Sequence, residues 1–207
     1  DYIQDILVEG LGIACFIVGN DFRFGHKRKG NFSLLQAKGR EFGFEVLETA
    51  SYERNGQRIS STFIREQLAE ANFELVEQLL GRPYSIEGEV VRGQRLGTDL
   101  GFPTCNINPQ RRRIPLHGVF ACEVRIGDRY RQAAVNIGYR PTVTDDGNAL
   151  LEAHILDFDE DLYGKTIAVI FRQKIREELK FDGLDALKQQ IGADVARVRE
   201  VLSAPSI

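Results

Sequence analysis

The chain has 207 residues, 43% of them hydrophobic and 28% charged, which suits one or two globular domains with real cores. Formal net charge is −3, with nine Lys and Arg against twelve Asp and Glu in residues 1–80 and eighteen against eighteen in residues 81–207. Neither half carries the basic footprint of a nucleic-acid binder, and no apolar run is long enough to span a bilayer as a helix.

In chain order, Ile13-Ala14-Cys15-Phe16-Ile17-Val18 is a continuous apolar run ending at Gly19, the pattern of a buried parallel strand. Residues 33–42 read as a helix stopped by Gly43, and Phe44-Glu45-Val46-Leu47 as a short strand. Ser60 or Ser61 can cap a helix whose apolar positions Ile64 and Leu68 lie four apart, and Leu75, Leu79 and Leu80 belong to a second helix ending at Gly81. This is α/β material, yet about 80 residues with two strands is too little for a complete doubly wound domain. The chain begins at Asp1 and contains no methionine, so it reads as a piece of a longer sequence.

Past Gly81-Arg82-Pro83, where the domain boundary is expected, the period changes to two. Tyr84, Ile86 and Val90 alternate with Ser85, Glu87 and Glu89; Phe120, Cys122, Val124 and Ile126 with Val119, Ala121, Glu123 and Arg125; Ile167, Val169 and Phe171 with Thr166, Ala168 and Ile170. Such segments, punctuated by glycine, proline and aspartate, predict an antiparallel barrel or sandwich. Leu184, Leu187, Ile191, Val195, Val198 and Leu202 then form one stripe on a C-terminal helix that covers an end or side of it.

The cysteines Cys15, Cys105 and Cys122 are odd in number and form no C-x-x-C pair, and His26, His117 and His154 lack metal-ligand spacing. Neither a disulfide framework nor a zinc site is expected, and a reducing, cytoplasmic setting is the default. The chemistry concentrates after the first barrel strand. Gly93, Gly97 and Gly101 recur every four residues and lead into Phe102-Pro103-Thr104-Cys105-Asn106. Glycine lets backbone amides approach an anion, although the spacing is neither a Walker-A loop nor a dinucleotide fingerprint. Thr104 and Asn106, two residues apart on an extended chain, put two hard oxygen donors on one side, as magnesium takes them; on their own they could equally cap a turn.

These segments, together with Asn136-Ile137-Gly138-Tyr139-Arg140-Pro141-Thr142, Leu151-Glu152-Ala153-His154, Tyr163-Gly164-Lys165 and Ile175-Arg176-Glu177-Glu178-Leu179-Lys180-Phe181, resemble the riboflavin kinase signature in order across residues 82–202. The resemblance implies a six-stranded antiparallel β-barrel with a C-terminal helix. It implies transfer of the ATP γ-phosphoryl to the riboflavin 5′-hydroxyl to give FMN. Thr104 and Asn106 would bind Mg2+, the backbone at Gly93, Gly97 and Gly101 would close over the ATP phosphates, and Glu152 would be the catalytic base. Alternation supports the last role, since Leu151, Ala153 and Ile155 share one strand face and Glu152 and His154 the other; His154 is read as structural. Related sequences carry a basic residue where this chain has Thr98, followed here by Asp99, which leaves Arg92 or Arg95 to supply the cation. Phe102, Tyr139 and Phe181 are candidates to stack on the flavin.

Upstream, Gly19-Asn20-Asp21-Phe22-Arg23-Phe24-Gly25 and Ile59-Ser60-Ser61-Thr62-Phe63-Ile64-Arg65 resemble two segments of the FMN adenylyltransferase module of bifunctional FAD synthetases. Residues 1–80 are accordingly expected to be part of a Rossmann-like nucleotidyltransferase domain, and residues 81–207 a riboflavin kinase domain. The resemblance assigns Asn20, Phe22, Phe24, Ser61, Thr62 and Arg65 to the adenylyltransferase site. The module's early paired histidines do not occur in this sequence, so conversion of FMN to FAD is expected to fail for the chain as it stands. The partners implied are riboflavin, FMN and ATP, with no nucleic acid and no membrane. The alternatives are a non-catalytic flavin or nucleotide carrier, in which Thr104, Asn106 and Glu152 would be unnecessary, and an oligonucleotide-binding barrel, which would need an aromatic stacking row.

Overall fold

The computed structural model describes residues 2–19, 21–50, 52–54, 57–93, 97, 100–110, 113–139 and 149–203, except for the side chains of Tyr139, Ala149 and Leu150. Two compact units divide the chain, residues 1–59 and 60–207.

In the first unit a π-helical segment, Tyr2–Gly10, precedes strand β1 (Cys15–Gly19), a 3₁₀ turn, helix α1 (Phe32–Phe42), strand β2 (Glu45–Thr49) and the two-residue strands β3 (Glu53–Arg54) and β4 (Gln57–Arg58). Helix α1 starts where Asn31 Oδ1 accepts from the Leu34 amide at 2.9 Å and stops at Gly43, whose φ of 82° few other residues adopt. Strands β1 and β2 pair in parallel, with Ile17 opposite Leu47. The expected burial of β1 does not hold: Val18 is the only residue of the strand that is buried, and Ile17 is 61% exposed. A two-stranded sheet that packs Phe16, Val18 and Val46 into a core with Ile3, Leu7, Leu35 and Phe44 leaves its other face uncovered within the unit.

The second unit opens with helices α2 (Ser61–Ala69) and α3 (Phe73–Leu80), followed by β5 (Ser85–Val91), β6 (Cys105–Asn108), β7 (Gly118–Ile126), β8 (Arg129–Tyr139), β9 (Ala149–Ile155), β10 (Thr166–Arg176) and helix α4 (Leu184–Ser203). Ser60 is the cap of α2, its Oγ accepting from the Phe63 amide at 3.2 Å. The six strands close into an antiparallel barrel in the order β10-β5-β6-β9-β8-β7, as the resemblance implied. The alternation read from sequence selects the interior: Ile86, Val90, Phe120, Cys122, Val124, Ile167, Val169 and Phe171 are all buried there.

Helices α2 and α3, grouped in sequence with the first region, pack by their apolar residues on this barrel. Phe73 stacks on Phe171 with centroids 5.9 Å apart and meets Phe120 edge-on at 5.9 Å, while Leu68 and Val76 join the same core. Helix α4 covers the side of the barrel. Val198, Val195, Val201 and Leu202 pack on Ala121, Ala134 and Leu156, which are outward-facing positions of β7 and β8 and the residue after β9. No helix among the described residues is long and apolar enough to cross a membrane.

Candidate active site on the outer face of the barrel

Because β6 lies beside β9 and β9 beside β8, their registers set three polar residues in one row: Asn106 opposite Glu152, and Glu152 opposite Asn136. Inward neighbours Leu151, Ala153 and Ile107 are buried in the barrel, so the row faces outward. One pleat along, Thr104 and His154 continue the same face. His154 Nδ1 donates to the Pro103 carbonyl at 2.8 Å and its ring meets Phe102 edge-on at 5.4 Å. These side chains open into a cavity of about 300 Å³, roofed by Leu187 and Ile191 of α4 and flanked by Arg176, Glu178 and Phe181. The single stripe expected on the C-terminal helix is therefore divided: Leu184 is exposed, Leu187 and Ile191 border the cavity, and Val195, Val198 and Leu202 pack on the barrel.

Thr104 also lines a second cavity of about 480 Å³, together with Val90, Cys105, Phe158, Asp161 and Tyr163. Burial pushes the Cys105 thiol up to about 11, so it stays protonated near neutral pH and is no nucleophile there.

Asn106 is 7% exposed, and its Oδ1 is buried without a hydrogen-bond partner. Leaving a buried oxygen unmet is unfavourable by about 1–3 kcal/mol, so such an atom points to a missing donor or cation. Thr104 Oγ1 and Asn106 Oδ1 are neutral, hard oxygens. Among the described residues no cluster of three or more His, Cys, Asp or Glu could hold a metal. The donor set thus fits a hard cation that takes its remaining ligands from phosphate and water.

The glycines have local reasons that sequence did not reveal. A Cβ at Gly93 would run into the Asn106 amide, and one at Gly97 into the Phe102 carbonyl oxygen, whose residue's amide bonds back to the Gly97 carbonyl at 2.8 Å. Only Gly101 of the three has a positive φ, 84°. Arg92 lies over the Tyr163 ring at 5.6 Å. Arg95, Thr98, Asp99 and Asn20 lie outside the described residues, as does the Tyr139 side chain.

Of the adenylyltransferase candidates, Phe22 and Phe24 stack at 5.7 Å within the first unit, beside Phe16 and Tyr2. Ser61, Thr62 and Arg65 are exposed on the first turns of α2 in the second unit. Phe102 and Phe181 both line the first cavity, and so does His154, which was read from sequence as structural.

Sequence reasoning missed Asp194. It is 4% exposed and receives Arg176 Nε and Nη2 at 2.7–3.1 Å and Gln190 Nε2 at 2.9 Å, tying the end of β10 to α4 at the cavity wall. The only advance signal was an acid between Ile191 and Val195 on the apolar stripe. Because breaking a buried pair strands its partner, Asp194→Ala is expected to lose about 2–4 kcal/mol of unfolding free energy, read from the urea midpoint. An unchanged midpoint would mean that the pair adds nothing to stability.

Residues 80–202 match the family described as riboflavin kinase, and residues 1–63 match FAD synthetase. The chain is 48% identical over 206 residues to a bifunctional riboflavin kinase/FMN adenylyltransferase of Pseudomonas fluorescens, covering 100% of this chain and 66% of that protein. It is 46% identical over 201 residues to the protein of the same description from Escherichia coli (strain K12), covering 97% of this chain and 64% of that one. A crystal structure described as a macrolide-efflux protein from Streptococcus pneumoniae superposes with a TM-score of 0.68 at 32% identity, over 95% of this chain and 64% of that chain. The chain thus spans 64–66% of the length of these relatives.

Proposed function

We propose, from the premise that this chain belongs to the riboflavin kinase family, that it phosphorylates riboflavin with ATP. The observation that carries the reading is the outward row Asn106–Glu152–Asn136 beside Thr104, with a buried, unpartnered Asn106 Oδ1 next to a carboxylate at the mouth of a cavity. In this reading the flavin occupies the first cavity, with its ribityl 5′-hydroxyl against Glu152. The nucleotide enters by the second, and Thr104, which borders both, marks where the γ-phosphoryl passes.

Glu152 accepts the hydroxyl proton as the oxygen forms a bond to the γ-phosphorus and the bond from that phosphorus to the β–γ bridging oxygen breaks, leaving FMN and ADP. Thr104 and Asn106 would hold Mg2+, which when bound neutralises phosphate charge. The backbone at Gly93, Gly97 and Gly101 would face the phosphates. The kinase domain is proposed as residues 81–207, with α2 and α3 as an added cover on its core. A protein of the relatives' full length carrying this sequence would also adenylylate FMN to FAD, a reading supported by the FAD synthetase match of residues 1–63.

The test is incubation of the chain with riboflavin, ATP and magnesium, followed by chromatography of the flavins. FMN that appears only with ATP and magnesium is the expected product. Riboflavin binding without turnover would instead favour a carrier on the same barrel.

A further inference from the structure

Asn136 sits on β8 directly beside Glu152, and its amide is pinned at one end. Its Nδ2 donates to Glu178 Oε1 at 3.2 Å. An ionised carboxylate only accepts, so the amide must turn its nitrogen to Glu178 and its oxygen away. That Oδ1 is buried and has no partner, and Asn136 lines the cavity.

The arrangement around it is built rather than incidental. Glu178 reaches Asn136 over Gly138, where any Cβ would collide with Glu178 Oε1. The other oxygen of Glu178 lies 3.4 Å from His117 Nε2. A glycine beside the carboxylate, a carboxylate that orients the amide and an orphaned amide oxygen come together at Asn136, which with Glu178 lines the cavity.

We propose that Asn136 reads the hydroxylated side chain of the substrate. Its Oδ1 accepts a hydrogen bond from a hydroxyl of that chain next to the one being phosphorylated, and Glu178 is the positioning residue that aims it. The proposal rests on the kinase reading above. Asn136 stands on the strand beside the one that carries the base, so an acceptor there is placed to meet a hydroxyl near the one being phosphorylated. A site built to receive a hydroxyl discriminates strongly against an analogue lacking it, because its own buried oxygen is then left unmet.

The experiment titrates flavin fluorescence with riboflavin and with lumiflavin, which has the same ring system but a methyl group in place of the ribityl chain. The wild-type chain is expected to prefer riboflavin by at least about tenfold. Asn136→Leu should shrink that preference by about tenfold and leave lumiflavin affinity unchanged. In turnover, KM for riboflavin should rise and KM for ATP stay constant. Glu178→Leu should reproduce much of the loss, whereas Glu178→Gln, which can still accept from Nδ2, should restore it. Should Asn136→Leu fail to fold by circular dichroism, Asn136→Ser removes the reach of the amide with less bulk. An unaltered riboflavin-to-lumiflavin ratio in the folded variant overturns the role of Asn136 and leaves the kinase reading standing. A wild-type chain that makes no FMN and binds neither flavin overturns the kinase reading, and this inference with it.

Discussion

Glu152→Gln is expected to lower kcat for FMN formation by about 10²–10⁴-fold, the usual contribution of a positioned general base. Glutamine keeps the size of the side chain but cannot take up the hydroxyl proton at neutral pH. The packing of β9 is carried by Leu151 and Ala153 on the other face, both fully buried, so the thermal melt should hardly move. ATP binding, followed by calorimetry with magnesium present, should change little, because the carboxylate is assigned to the alcohol and not to the phosphates. Near-normal turnover in the variant would remove Glu152 from the mechanism.

The second large effect is expected at Gly93, which packs against the side chain of Asn106. A methyl group there would occupy the place of the Asn106 amide, so Gly93→Ala must displace either the loop or the oxygen proposed as a cation ligand. Affinity for ATP in the presence of magnesium should fall by about 10–100-fold, as it does when the groups that orient a metal ligand are altered. Asn106→Leu should fall by a similar factor. The double variant should be little worse than either single one, since both remove the same oxygen. Riboflavin binding measured without nucleotide should be much less affected. Wild-type Mg–ATP affinity in Gly93→Ala would show that the close approach of loop and strand has no part in nucleotide binding.

The residues differ in how far their roles could be read before any fold was known. Glu152 could be placed on the face opposite Leu151 and Ala153, because strand alternation depends on a period of two and on nothing distant. The same reasoning picked out the barrel interior of β5, β7 and β10, and Ser60, Gly43 and Gly81 marked helix ends through local backbone chemistry. The ordered motifs from Gly93 to Phe181 carried the family resemblance and, with it, the closed barrel.

Other features needed the folded chain. Ile17 reads as a buried strand residue but is exposed, because burial depends on how many strands and layers surround it and not on its own run. Helices α2 and α3 continue the texture of the first region, yet Phe73 belongs to the aromatic cluster with Phe120 and Phe171. Asp194 stands among apolar positions of the helix, and its partner Arg176 comes from the end of β10, eighteen residues earlier in the chain.

Alternation alone assigned the inward and outward faces of β5, β7, β9 and β10, and the residue types able to move a proton or hold a hard cation could be named from sequence. The folded chain was needed to see that Asn106, Glu152 and Asn136 form a single row, that a Cβ at Gly93 would run into the Asn106 amide, and that Glu178 receives the amide nitrogen of Asn136. The physical reason is register. Faces follow from each strand's own alternation, but β6 reaches β9 across more than forty residues of chain, and which side chains then stand opposite one another is set by hydrogen bonding between strands that no local pattern encodes.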